Sequence, residues 1–201
     1  MKRIRGLAVA GAVLILVAGC GSVRPSKFYT LELPSMGPGG GPPIAVDLLV
    51  GRVSAPQVLR DDRILYRAAS SEIGGYEYHR WADPPAIMLE ELVLRALRDS
   101  GRFRSVQSQK SNTRGDYLVR GRLYEFGEIS APVLGARVRV EFEVQNRKTG
   151  EIVYTRMFSH DEPAAGKDVA AVVGAINRSV QRALREFVEG LAAHFAQHPP
   201  Q

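Results

Sequence analysis

One residue dominates the chemistry legible in this sequence: Cys20, the sole cysteine among 201 residues. A single thiol excludes a disulfide framework, a cysteine zinc cluster and a CxxC redox pair, because each needs a second cysteine. Cys20 therefore acts alone, and its neighbours define how. Lys2, Arg3 and Arg5 make a positive start, and residues 6–19, GLAVAGAVLILVAG, carry no charge. A basic start, roughly 7–15 apolar residues and a small-residue ending form the pattern of a cleaved secretory leader. Crossing a bilayer takes about 20 apolar residues, so this run is short for a permanent span. The ending Ala18, Gly19, Cys20 reads instead as a processing site.

Val17, Ala18, Gly19 and Cys20 together resemble the lipobox of bacterial lipoprotein signals. The resemblance implies cleavage between Gly19 and Cys20, a diacylglycerol on the Cys20 sulfur and a further acyl chain on its new amino group. Each buried methylene contributes about 0.8 kcal/mol and two chains already anchor a protein stably, so no membrane-spanning helix is required. These covalent lipids are the only non-protein groups expected; no cofactor or metal is. Gly21 stands where lipoproteins kept at the inner membrane often carry Asp, which by resemblance implies export to the outer membrane. The competing readings are a plain secreted protein whose leader happens to end in cysteine, and a short amphitropic helix.

Other residue types that perform chemistry do not assemble into a motif. His160, Asp161 and Glu162 are consecutive, and three successive residues cannot converge on one ion, so a solvated turn is expected there. Ser70, Ser71 and Ser159 lack a GxSxG elbow, and His79, His194 and His198 are scattered, so no catalytic residues are assigned. The glycines at 37–41 and 74–75 match neither a P-loop nor a dinucleotide fingerprint. The net charge of +6 includes the three basic residues of the leader; without them 24 basic residues face 21 acidic ones, which argues against a nucleic-acid partner.

The elements around these residues are those of an ordinary globular domain: 45% of the chain is hydrophobic and 24% charged. Residues 1–19 are read as the leader, 20–43 as a lipidated cysteine with a Gly/Pro-rich tether, and 44–198 as the folded domain. Within the tether, KFYTLEL (27–33) has strand composition and is expected to dock on the domain edge or on a partner. IAVDLLVGRV (44–53) reads as a strand, and RILYRAASSEIGGYEYHRW as two short strands joined around Gly74 and Gly75. Asp83 is the expected N-cap of a helix with Pro84 in its first position and a stop at Gly101. On it Met88, Leu89, Leu92, Val93, Ala96 and Leu97 share one face, and Glu91 and Arg95 are spaced to pair.

Residues 116–126, 136–146 and 151–160 make a meander whose middle strand alternates Val138, Val140, Phe142 and Val144 with Arg137, Arg139, Glu141 and Glu143. A final stripe from Val169 to Phe195 at 3.6-residue spacing predicts a long helix from near Lys167 to about Ala196, whose end either projects past the sheet or, as we prefer, frays after residue 192. The fold expected is α/β: one domain with a mixed β-sheet and an antiparallel C-terminal meander, packed against two main helices.

With these segments in place, the chain resembles the ABC-type transport auxiliary lipoproteins, the family of paraquat-inducible protein C. The likeness rests on the lipidated cysteine, on Phe28, Tyr29, Thr30 and Leu31, on Leu59, Asp62, Arg63, Ile64 and Arg67, and on the box Arg80, Trp81, Ala82, Asp83, Pro84. It implies an outer-membrane lipoprotein, held on the periplasmic face by its lipid, that catalyses nothing. Its implied partners are a protein with mammalian-cell-entry (MCE) domains, a permease and an ATPase that together move lipids between membranes. A homo-oligomer stays open. The alternative is an assembly or structural lipoprotein that supports an outer-membrane barrel or export machine.

Arg80, Trp81, Phe28 and Tyr29 are the candidate partner surface, since an Arg and Trp pair is hot-spot composition. The same Trp could instead pack beneath the helix that follows and set a corner, and its place at a helix start points to that corner.

Overall fold

A computed structural model of the chain describes residues 24–34, 37, 40–67, 71–130 and 132–199. The signal and lipobox residues lie outside these. The expected α/β architecture is present: one eight-stranded mixed sheet carries two long helices on one face.

The meander comprises β6 (Tyr117–Ile129), β7 (Gly135–Asn146) and β8 (Ile152–Pro163), paired antiparallel. Val138, Val140, Phe142 and Val144 are buried beneath the C-terminal helix, α2 (Val169–Gln197), where Phe142 and Phe187 lie 4.5 Å apart between ring centroids. The opposite β7 face carries Arg137, Arg139, Glu141 and Glu143, and Arg137 is chelated by Asp161 of β8 at 2.6 and 2.7 Å.

Asp168 caps α2 by accepting from Ala171 N at 2.8 Å. The helix does not fray after residue 192: it stays helical to Gln197, because Phe195 is buried against Tyr117 at 4.8 Å and Phe103 at 6.5 Å. Its 29 residues extend about 43 Å at ~1.5 Å each, close to the length of a 12- or 13-residue strand, so the helix spans the meander end to end.

β2 (Ile44–Ser54) runs parallel to β6 on one side and to β5 (Phe103–Ser108) on the other. Between β2 and β5 in sequence lies α1 (Pro85–Asp99), which buries the six residues expected on its apolar face. The helix starts later than the sequence suggests. Pro85 is its first residue and Pro84, at φ −51° and ψ 140°, its N-cap, with no side-chain cap from Asp83. A residue before proline is pushed out of the helical region, so Pro85 forbids Pro84 a helical conformation. Glu91 does not pair with Arg95; that guanidinium reaches the carbonyl of Leu33 and lies 3.9 Å from Asp99.

β3 (Arg63–Arg67) and β4 (Ile73–Trp81) pair antiparallel as the expected hairpin, but the two glycines expected to join them do not lie between the strands. Gly74 and Gly75 are inside β4, opposite Tyr66 and Leu65. A Cβ on Gly74 would stand 2.3 Å from Tyr66 Cζ, so this glycine seats the tyrosine ring and does not make the turn. At the sheet's outer edge is β1 (Lys27–Tyr29), parallel to β4. Leu31 and Leu33 just after it are in the core, so this stretch is part of the folded body, and the Gly/Pro run after it connects β1 to β2. Among the described residues no helix is long and apolar enough to cross a membrane.

Candidate functional site

The three family-like boxes, far apart in sequence, meet at the β1–β4 edge. The parallel ladder pairs Lys27 with His79, Phe28 with Arg80 and Tyr29 with Trp81. It is extended by Ala82 N donating to Tyr29 O at 2.7 Å, while Trp81 N donates to Asp62 O at 2.6 Å. Arg80 Nη1 donates to Asp62 Oδ1 at 2.5 Å, so Asp62 holds both residues of the Arg-Trp box, one through its carbonyl and one through its carboxylate. Leu59 and Ile64 flank this joint within the core.

Alternation along the ladder divides its residues between two faces. Trp81 points inward: it is 1% exposed and packs on Phe126 with centroids 5.3 Å apart. Tyr29 Oη and His79 Nδ1 share a 2.9 Å hydrogen bond, and their rings stack at 5.7 Å. Tyr76 meets His79 edge-on at 5.8 Å and Tyr66 at 5.1 Å, and its hydroxyl donates to Glu128 Oε2 at 2.5 Å. Ser130 Oγ donates to the other oxygen of Glu128 at 3.0 Å.

Burial, then the adjacent Glu128 carboxylate, pushes the Tyr76 hydroxyl well above the usual phenol range, so it stays protonated and donating. Burial, reinforced by Lys27 and Arg24, lowers His79 and favours its neutral ring. The cluster is a hydrogen-bonded polar and aromatic lining.

The outward residue is Phe28, 64% exposed. Nearby, the Arg24 guanidinium sits 5.6 Å from the Tyr78 ring centroid. The lipobox itself, Val17, Ala18, Gly19 and Cys20, falls outside the described residues.

His160, Asp161 and Glu162 belong to β8 and not to a solvated turn. Strand alternation separates them: His160 lies 3.4 Å from Glu186 and Glu162 2.8 Å from Arg182, both on α2, whereas Asp161 binds Arg137 on the other face. Among the described residues no group of three or more His, Cys, Asp or Glu side chains is placed to hold a metal ion.

Glu128 and its tyrosine partner were not legible as a pair. A bulge between Leu123 and Glu125 shifts β6 by one residue, which turns Phe126 and Glu128 to the helix side. Counting alternate residues from Leu123 assigns Glu128 to the wrong face, and nothing in the local composition signals the bulge.

A family model described as "ABC-type transport auxiliary lipoprotein component" matches residues 29–188. Among solved structures, a Xanthomonas campestris protein of family DUF330 superposes with a TM-score of 0.79 at 24% identity, covering 86% of this chain and 98% of that one. An uncharacterized protein gives 0.66 at 13% identity, with 84% and 99% covered. A hypothetical Chlamydia trachomatis protein gives 0.50 at 13%, with 75% and 98% covered. At these identities the likeness is one of fold. A search of the curated proteins finds no match.

Proposed function

This chain belongs to the ABC-type transport auxiliary lipoprotein component family, and from that premise we propose that it is an outer-membrane lipoprotein whose periplasmic domain docks an MCE-type lipid transport system. Cys20 carries the anchor: its thiol takes the diacylglycerol, and the amino group freed by cleavage after Gly19 takes the third chain. The domain supplies a rigid body at the membrane, and the permease and ATPase of the system supply the energy. The protein catalyses no step itself; its part is to receive or position the MCE-domain subunit so that lipid passes between membranes.

The observation that supports this reading best is the extent of the family match. It begins at Tyr29, the last residue of β1, and ends in α2, so it takes in Tyr29, the Asp62 joint and the Arg80-Trp81 box, with Phe28 just before its start. Affinity purification of the full chain from detergent-solubilised envelopes tests it. The expected co-purifying proteins are an MCE-domain subunit with its permease and ATPase. Recovery of an outer-membrane barrel or export machine, without those subunits, would replace this reading with that of an assembly lipoprotein.

A further inference from the structure

We infer that the β1–β4 edge of the sheet faces the bilayer, with Arg24, Lys27, Phe28, Ile73 and Tyr78 at the headgroup level and β8 turned to the aqueous side. The inference rests on Cys20 being the lipid anchor and goes beyond it by fixing the orientation of the domain.

The first argument is reach. Arg24 is four residues beyond Cys20 and Lys27 seven, so a fully extended chain spans at most about 14 Å and about 25 Å to them. No slack is available downstream, because β1 is fastened to the body. It pairs with three residues of β4, and Leu31 and Leu33 are buried. Glu32 is held by Asn177, which accepts from its backbone N at 3.0 Å, and by Gln181, which donates to its carbonyl at 2.9 Å. The Gly/Pro-rich run at 37–43, the one stretch whose composition would make a long flexible leash, lies after this fastening point and adds nothing to the reach. An acylated Cys20 thus keeps Arg24 within about 14 Å and Lys27 within about 25 Å of the membrane surface, close enough for the β1–β4 edge to meet it.

The second argument is the chemistry of that edge. Phe28 and Ile73 are 64% and 41% exposed, two of seven exposed large apolar side chains among the described residues, and Phe28 is the most exposed of the seven. Tyr78 lies between them along β4 and carries Arg24 against its ring. Aromatic rings with basic partners suit the interface between water and hydrocarbon, where a ring sits among headgroups and a guanidinium meets phosphates. Seven residues separate Ile73 from Arg80, the partner of Phe28, so the contact line is about 23 Å long at ~3.3 Å per residue. Glu72 and Glu77 flank the same edge, so attraction to anionic lipid is partly offset and the tether and apolar residues set the orientation. The opposite edge, β8, lies five strand spacings away along β1-β4-β3-β6-β7-β8, about 24 Å at ~4.8 Å each.

The test uses the full mature chain, acylated in cells, in vesicles of phosphatidylethanolamine and phosphatidylglycerol brominated near the headgroup end of the acyl chains. Two variants add a reporter: Phe28→Trp on the edge proposed to touch lipid, and Ile152→Trp on β8. Emission of the parent chain, which holds only buried Trp81, is subtracted. Bromine should quench the added emission of Phe28→Trp and leave that of Ile152→Trp intact, with Ile73→Trp behaving like Phe28→Trp. If the protein bears acyl mass on Cys20 yet Phe28→Trp is unquenched, or both sites are quenched alike, the orientation is wrong while the anchor stands. If Cys20 carries no acyl mass, the anchor reading fails and the orientation with it.

Discussion

On the inner face of the β1–β4 ladder, Tyr29, His79 and Trp81 are packed, stacked and hydrogen-bonded into the body of the protein. On the outer face, one residue away along each strand, Phe28 is largely exposed and Arg80 is mostly covered in an ion pair with Asp62. Both faces come from the same two boxes of sequence. A motif recognised as a block can therefore hold two kinds of residue, some that build a corner and some that the corner presents. Trp81 has hot-spot chemistry and almost no exposed surface with which to use it; Phe28 has less specific chemistry and most of its surface free.

Three substitutions probe that contrast on a chain beginning at Gly21, followed by thermal unfolding. Trp81→Ala removes the largest buried side chain of the corner and should cost about 3–5 kcal/mol, lowering the melting temperature by roughly 6–20 °C. A melting curve like that of the parent would mean that the corner does not depend on the ring.

Asp62→Ala should cost less, about 0.5–1 kcal/mol. It loses a partly exposed ion pair with Arg80 but keeps the backbone bond from Trp81. A double-mutant cycle with Arg80→Ala isolates the pair, and a coupling as large as the Trp81 effect would erase the distinction between the faces. Phe28→Ala should change stability by no more than about 0.5 kcal/mol. A loss comparable to that of Trp81→Ala would show that Phe28 belongs to the core.

Where burial repeats regularly, the sequence was readable. The stripe of α2 and the alternation of β7 are long and uninterrupted, and nearly every residue they nominate is buried. Legibility failed where a long-range partner decides the outcome. β5 was not anticipated, because its six residues bury only Phe103 and Val106 and become a strand by pairing with β2, more than fifty residues earlier. Gly74 and Gly75 carry the composition of a turn, but the ring of Tyr66 claims the space above Gly74.

The candidate site shows the same division. Each box was visible alone, since each is a local run of distinctive residues. Their junction at Asp62 was not, because pairing Tyr29 with Trp81 and Arg80 with Asp62 are contacts between segments that nothing in either segment announces.

Everything proposed about place and orientation depends on the thiol of Cys20, so the most direct measurement is metabolic labelling of the full-length chain with radioactive palmitate, beside Cys20→Ser. The wild-type protein should take up label and appear at the size of the chain without residues 1–19. The serine variant should remain unlabelled and keep its leader. Equal labelling of the two chains, or processing of both to the same unlabelled product, would contradict the account.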